Sequence, residues 1–178
     1  MWKFLFSLCL VTTHLASMAI EEPSYAVTQQ LNGAEVRQYA GALIIGRPGT
    51  GKSHVAKAVA YQATLQGFDV RYVEADTEFA RYALGSTAEQ AAQLRSFIEP
   101  DLVVLDDLFL ARRISEASAE LLQTVVHQRY KQRRSIIVTS NRVVQDWGKY
   151  LGDATMATTI LDRLMHRAAM LEFEGKSA

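Results

Sequence analysis

A chain of 178 residues has room for one domain and a short extra piece, not for two globular units. Hydrophobic residues make up 49% and charged residues 21%, which excludes a disordered or collagen-like chain and allows a sizeable core. Nineteen Lys and Arg balance nineteen Asp and Glu, so any nucleic-acid contact must be a local patch, and the single cysteine, Cys9, excludes an intrachain disulfide framework and a Cys-based zinc site.

Residues 1–19 carry an early cation, Lys3, an apolar run from Phe4 to Val11, and small residues Ser17 and Ala19 at a cleavage-site spacing. That is the pattern of a secretory signal, with a buried N-terminal helix or strand as the alternative because His14 interrupts the apolar block. The apolar run falls short of the roughly 20 residues that cross a bilayer. In residues 20–40, Tyr25, Val27, Leu31, Val36 and Tyr39 are spaced as two short strands around Asn32-Gly33, an expected hairpin. With its Glu-Glu-Pro, Tyr and Glu-Val-Arg-Gln-Tyr elements, this segment resembles the start of the SOUL haem-binding family. From Gly41 onward apolar strands alternate with amphipathic helices, so residues 41–178 are expected to form an α/β unit with a seam near Ala40-Gly41.

Ala42 to Ile45 form a short apolar strand, followed by Gly46-Arg47-Pro48-Gly49-Thr50-Gly51-Lys52-Ser53 and a helical pattern from His54 to Gln66 that ends at Gly67. Strand, Gly-rich loop and helix in that order make a phosphate-binding loop. The residues from Gly46 through Pro48, Gly49, Thr50 and Gly51 let backbone N–H groups converge on a phosphate, and the helix dipole favours its charge. Lys52 is then placed for the β and γ oxygens of ATP, and the Ser53 hydroxyl for Mg²⁺. The helix is expected to pack through Val55, Ala58, Val59 and Ala63.

Asp69 to Val73 reads as a second strand, and residues 77–84 and 88–98 as short helices around Gly85-Ser86. In Asp101 to Asp107, Asp101 is followed by four apolar residues and then two carboxylates, as expected of a buried parallel strand delivering acids to the carboxyl edge of a sheet. Asp106 is the expected Mg²⁺ carboxylate and Asp107 the expected general base; a helix N-cap or a surface acidic pair is the alternative. Asp-Asp in place of Asp-Glu shortens the base by one methylene, so slow hydrolysis is expected. An amphipathic helix follows from Ser115 to Tyr130. Arg112 and Arg113 precede it, and Arg129, Lys131, Arg133 and Arg134 cluster at its end, where they could meet DNA phosphates or merely complement the helix dipole. Ser135 to Ser140 is a further strand ending in Asn141, expected to hydrogen-bond the attacking water or the γ-phosphate, with a plain turn role as the alternative. His127 and His166 lack metal-ligand spacing with any second His or Cys.

The phosphate loop at 46–53, the acidic strand at 102–107, Thr139-Ser140-Asn141, Asp146-Trp147-Gly148, Gly152-Asp153 and the run from Ala157 to His166 occur in one order. Over residues 42–177 the chain resembles the IstB/DnaC-like group of AAA+ ATPases, with IstB-type transposition helpers the nearer match. The resemblance implies a P-loop α/β fold with a parallel sheet flanked by helices, ATP and Mg²⁺ as cofactors, and ATP hydrolysis in the cytoplasm. It further implies a homo-oligomer that assembles on DNA without reading its sequence and assists a transposase or loads a replicative helicase. Arg163, at the Asp-Arg-Leu position, is the arginine implied to reach a neighbouring subunit's γ-phosphate; a helix-surface ion pair with Asp162 or a neighbour is the alternative. Relatives are also expected to carry a helical N-terminal region and a tail beyond Glu174, and the secretory leader conflicts with a cytoplasmic ATPase. A truncated or fused remnant that binds nucleotide without hydrolysing it is therefore carried as a second reading. A P-loop small-molecule kinase, which would need an arginine-bearing lid, is the third.

Overall fold

The computed structural model describes residues 41–110, 113–166 and 168–174. The expected leader, the expected hairpin and Arg112 lie outside them. Five strands, β1 (Gly41–Gly46), β2 (Val70–Glu74), β3 (Leu102–Leu108), β4 (Ser135–Ser140) and β5 (Ala168–Phe173), form one sheet in the order β2-β3-β4-β1-β5. Every pairing is parallel. Such a sheet must be covered on both faces, and alternate residues of each strand enter one of two cores. Ala42, Ile44, Leu102, Val104 and Ile137 point to one side, against α1 (Lys52–Leu65). Leu43, Ile45, Val103, Leu105, Ile136 and Val138 point to the other, where α2 (Ala75–Leu84), α4 (Glu116–Lys131), α5 (Trp147–Leu151) and α6 (Ala154–Met165) contribute side chains to the core. Helix α3 (Thr87–Ile98) adds Phe97 to this second core.

The helix ends follow local chemistry. Gly67, at φ 84°, closes α1 in the left-handed conformation that glycine tolerates, with Gly67 N–H donating to Thr64 O at 2.9 Å and Phe68 N–H to Ala63 O at 3.1 Å. Ser86 and Glu89 form a reciprocal capping box at the start of α3. The face of α1 differs from the expected one. Ala56, Val59, Ala60 and Ala63 are buried, whereas Val55 and Ala58 are half-buried. Val59 and Ala63 take their expected places, Ala56 and Ala60 enter the interface where Ala58 was expected, and Val55 packs at its margin.

One member of the basic cluster after α4, Arg129, is also corrected. Arg129 is fully buried, and its guanidinium donates to the carbonyls of Phe97 (2.8 Å), Ile98 (3.2 Å), Pro100 (3.0 Å), Asp101 (3.0 Å) and Ser135 (2.5 Å). Burial pushes its pKa down to about 9, so it still carries its charge at neutral pH. Arg129 ties the end of α3 and the start of β3 to β4, and it faces no DNA. Lys131 and Arg133 remain exposed, Arg134 is half-buried, and the Arg113 guanidinium lies over Gly152, where a Cβ would fall 2.0 Å from Arg113 Nη2.

Candidate functional site

The phosphate loop leaves β1 at Gly46, where a Cβ would meet Phe173 O of β5 at 2.4 Å, so the strand end and loop start require glycine. Gly49 and Gly51 hold φ of 78° and 90°, conformations strained for any other residue, and Thr50 Oγ1 donates to Arg47 O at 2.8 Å across the turn. Helix α1 then starts at Lys52 with no side-chain cap and no acidic residue in its first turn. Its leading N–H groups are thus open to an external anion, favoured by the positive end of the helix dipole. Lys52 is only 4% exposed and turns back to donate to Arg47 O at 2.8 Å. Burial lowers its pKa, while the charges of Asp107 and Asp106 act in the opposite direction. Ser53 is half-buried next to it.

The acidic pair is delivered by an irregularity of the sheet. Leu105 pairs with Val138 and Leu108 with Ser140, so three steps along β3 face two along β4. The extra residue is accommodated where the chain reaches Asp106 and Asp107, and Asp107 takes φ 52°. Asp106, 3% exposed, accepts from Tyr72 Oη at Oδ2 and from Thr139 Oγ1 at Oδ1, the latter at 2.5 Å. Thr139 Oγ1 in turn accepts the Asp107 N–H at 2.9 Å. The next residues are pinned as firmly: Leu108 O accepts from Ser140 Oγ at 2.7 Å, Phe109 N–H donates to Asp76 Oδ1 at 3.1 Å, and Phe109 O accepts from Arg142 Nε at 3.2 Å. Burial, followed by the charge of Asp106, raises the pKa of Asp107, while Lys52 pulls it down. Asn141 leaves β4 at the same edge; its Oδ1 is buried and has no partner among the described residues. A buried acceptor of that kind is costly unless something donates to it.

The fold therefore places Gly46, Pro48, Gly49, Thr50, Gly51, Lys52, Ser53, Asp106, Asp107 and Asn141 at one carboxyl edge, after β1, β3 and β4. Arg163 is not there. It lies near the end of α6, donates Nη1 to Thr159 O at 3.0 Å, and lines a small cleft with Gly41, Arg133, Arg134 and Ala168. Gly41 pairs with Ala168 and opens β1, while Gly46 closes it. At roughly 3.3 Å per residue the amino edge is about 16 Å from the phosphate loop, farther than one side chain spans. The ion pair with Asp162 is not among those of the described residues either, as expected of consecutive helix positions. Sequence reasoning missed Tyr72, Asp76 and the bridging hydroxyl of Thr139. Thr139 stood within a quoted motif, whereas Tyr72 and Asp76 had no local signal.

A parallel sheet in this order, with a phosphate loop after β1, two carboxylates at the end of β3 and a polar residue after β4, defines a P-loop NTPase of the AAA+ type. The chain belongs to the IstB-like ATP binding protein family, which matches residues 21–178. It is 33% identical over 154 residues to the insertion sequence IS21 putative ATP-binding protein of Pseudomonas aeruginosa, covering 85% of this chain and 57% of that protein. It is 30% identical over 136 residues to the IS5376 putative ATP-binding protein of Geobacillus stearothermophilus, covering 76% and 53%. The chain thus spans a little over half the length of these relatives. Among solved structures, the DnaC helicase loader superposes with a TM-score of 0.62 at 22% identity, covering 77% of this chain and 80% of that one, which shows the shared fold. AMPPCP-bound DnaA from Aquifex aeolicus superposes at 0.61 with 25% identity, covering 76% and 41%. The family match takes in residues 21–40, the segment expected to stand apart from the ATPase, and nothing in these likenesses supports its resemblance to SOUL proteins. Among the described residues no helix is long and apolar enough to cross a membrane.

Proposed function

We propose that this protein binds ATP with Mg²⁺ at the β1–α1 loop, hydrolyses it within a homo-oligomer assembled on DNA, and serves as the ATP-dependent helper of a transposase. The observation that carries the reading is the convergence of an uncapped helix N-terminus, Lys52, Ser53, the acidic pair and the buried Asn141 Oδ1, without a partner among the described residues, on one sheet edge. These groups fit a triphosphate with its cation. Ser53 and Asp106 would hold Mg²⁺, which supplies charge neutralisation to the β and γ oxygens. Lys52 exchanges its contact with Arg47 O for phosphate oxygens. Asp107, with its raised pKa, accepts the proton of the attacking water, and Asn141 Oδ1 accepts a hydrogen bond from that water and orients it.

Arg163 stands beside Gly41, about a strand's length from its own phosphate loop, so a contact with a γ-phosphate would be made to another subunit. A guanidinium supplied in trans stabilises the charge of phosphoryl transfer and makes hydrolysis depend on assembly, typically by about 10³ to 10⁵ in turnover. The names of the insertion-sequence relatives favour a transposase partner over a replicative helicase. The test is complementation on DNA. Neither Lys52→Ala nor Arg163→Ala hydrolyses ATP alone, and a mixture recovers activity because some interfaces pair an intact Lys52 with an intact Arg163. Near-normal hydrolysis by Arg163→Ala refutes the trans role, and ATP binding without turnover by the unaltered protein on DNA favours a nucleotide-binding remnant.

A further inference from the structure

Tyr72 lies on β2, paired with Val104, two residues before Asp106 on the neighbouring strand. Alternation puts Val104 and Asp106 on the same sheet face, and a tyrosine opposite the first can reach diagonally to the second. The phenol does so, donating to Asp106 Oδ2, while Thr139 Oγ1 donates to Oδ1 at 2.5 Å. Both oxygens of one carboxylate are therefore held by hydroxyls from the two flanking strands, and the carboxylate plane cannot turn without breaking one of them. An ionised carboxylate oxygen only accepts, so the phenol is the donor in this contact. The ring itself is anchored: it packs against the α1-side core, and Lys57 Nζ lies 5.6 Å from its centroid.

We propose that Tyr72 is a positioning residue for the metal carboxylate, its hydroxyl and that of Thr139 fixing the orientation in which Asp106 would meet Mg²⁺. This rests on the ATP reading above. Each carboxylate oxygen has room for a second partner, so the two hydroxyls orient Asp106 without exhausting it. Hydrogen-bond partners of ligating carboxylates typically change metal affinity by about 10 to 100-fold when removed.

The experiment measures affinity for a fluorescent ATP analogue in EDTA and across a Mg²⁺ titration, using the full chain and Tyr72→Phe, with thermal melting as the folding control. Tyr72→Phe deletes one atom and keeps the ring. The expected result is unchanged metal-free affinity and a Mg²⁺ half-point raised about tenfold or more. A merely structural tyrosine would lower both affinities together or neither, and either outcome overturns the proposal. If the Phe variant melts without cooperativity, Thr139→Val and Thr139→Ser make the same comparison at the other oxygen: Val should raise the Mg²⁺ half-point and Ser should keep it, and equal behaviour refutes the clamp. Absence of any ATP binding by the unaltered chain overturns the ATP reading and this inference with it; Mg²⁺-tightened binding that Tyr72→Phe leaves untouched overturns this inference alone.

Discussion

Replacing Arg129 with Met keeps an unbranched side chain in the core but removes the donors that serve five carbonyls, those of Phe97, Ile98, Pro100, Asp101 and Ser135. Treated independently, each stranded carbonyl costs about 1 to 3 kcal/mol, but the segment between α3 and β3 can shift and let water in. With that relaxation, a few unsatisfied carbonyls at this cost sum to about 3 to 5 kcal/mol. For a chain of this size each kcal/mol moves the melting temperature by about 2 to 4 °C, so a fall of order 10 °C is expected. That is a large share of a total stability of about 5 to 15 kcal/mol. Arg129→Lys, with one ammonium able to reach only some of the carbonyls, should fall between Met and the natural residue. Calorimetry or dichroism read against temperature measures the shift, and DNA titration below the melting range completes the test. Because Arg129 is fully buried, DNA affinity per folded molecule is expected to stay unchanged. A melting temperature within about 2 °C of the unaltered protein, together with a loss of DNA binding, would refute the structural role and return Arg129 to the exposed cluster.

Asp107→Asn should abolish hydrolysis and leave ATP binding in place, since Asn keeps the size and tolerates φ 52° but accepts no proton. The folded-state pKa of Asp107 is raised, so its ionised form costs stability at neutral pH and the cost is relieved as pH falls through that pKa. Asp107→Asn is therefore expected to melt higher than the unaltered chain at pH 7, with the gap closing in acid, and a lower melting temperature at pH 7 would contradict the burial argument. For the same reason hydrolysis by the unaltered protein should decline on acidification at a pH above the ordinary carboxylate range, read from a pH–rate profile.

Much of the fold was legible because the chain separates its signals cleanly. Ser135 to Ser140 appears as a strand with the expected bounds, since a buried parallel strand writes itself as an unbroken apolar run between turns. The phosphate loop was equally plain, because glycine at left-handed positions and Lys-Ser at the helix start leave few other readings. What remained hidden depended on contacts between distant segments. Arg129 reads as one of several cations at a helix end, and only the meeting of the α3–β3 connection with β4 turns it inward. Tyr72 and Asp106 are 34 positions apart and meet only because β2 and β3 are neighbours. The α1 face was placed only in part for a different reason: on an alanine-rich helix periodicity leaves the angle of the buried stripe open by a position, and contact with the sheet settles it on Ala56, Val59, Ala60 and Ala63.

Nucleotide-induced stabilisation is the most direct test of the central claim that the β1–α1 loop and the β3 carboxylates form an ATP·Mg²⁺ site. The melting temperature of the unaltered chain should rise with ATP and Mg²⁺, by an amount equivalent to about 2.7 kcal/mol at a hundredfold excess over the dissociation constant. Lys52→Ala, which removes the ammonium now resting on Arg47 O, should show no such rise at the same concentrations. An equal rise in both proteins would place the nucleotide elsewhere and contradict the assignment.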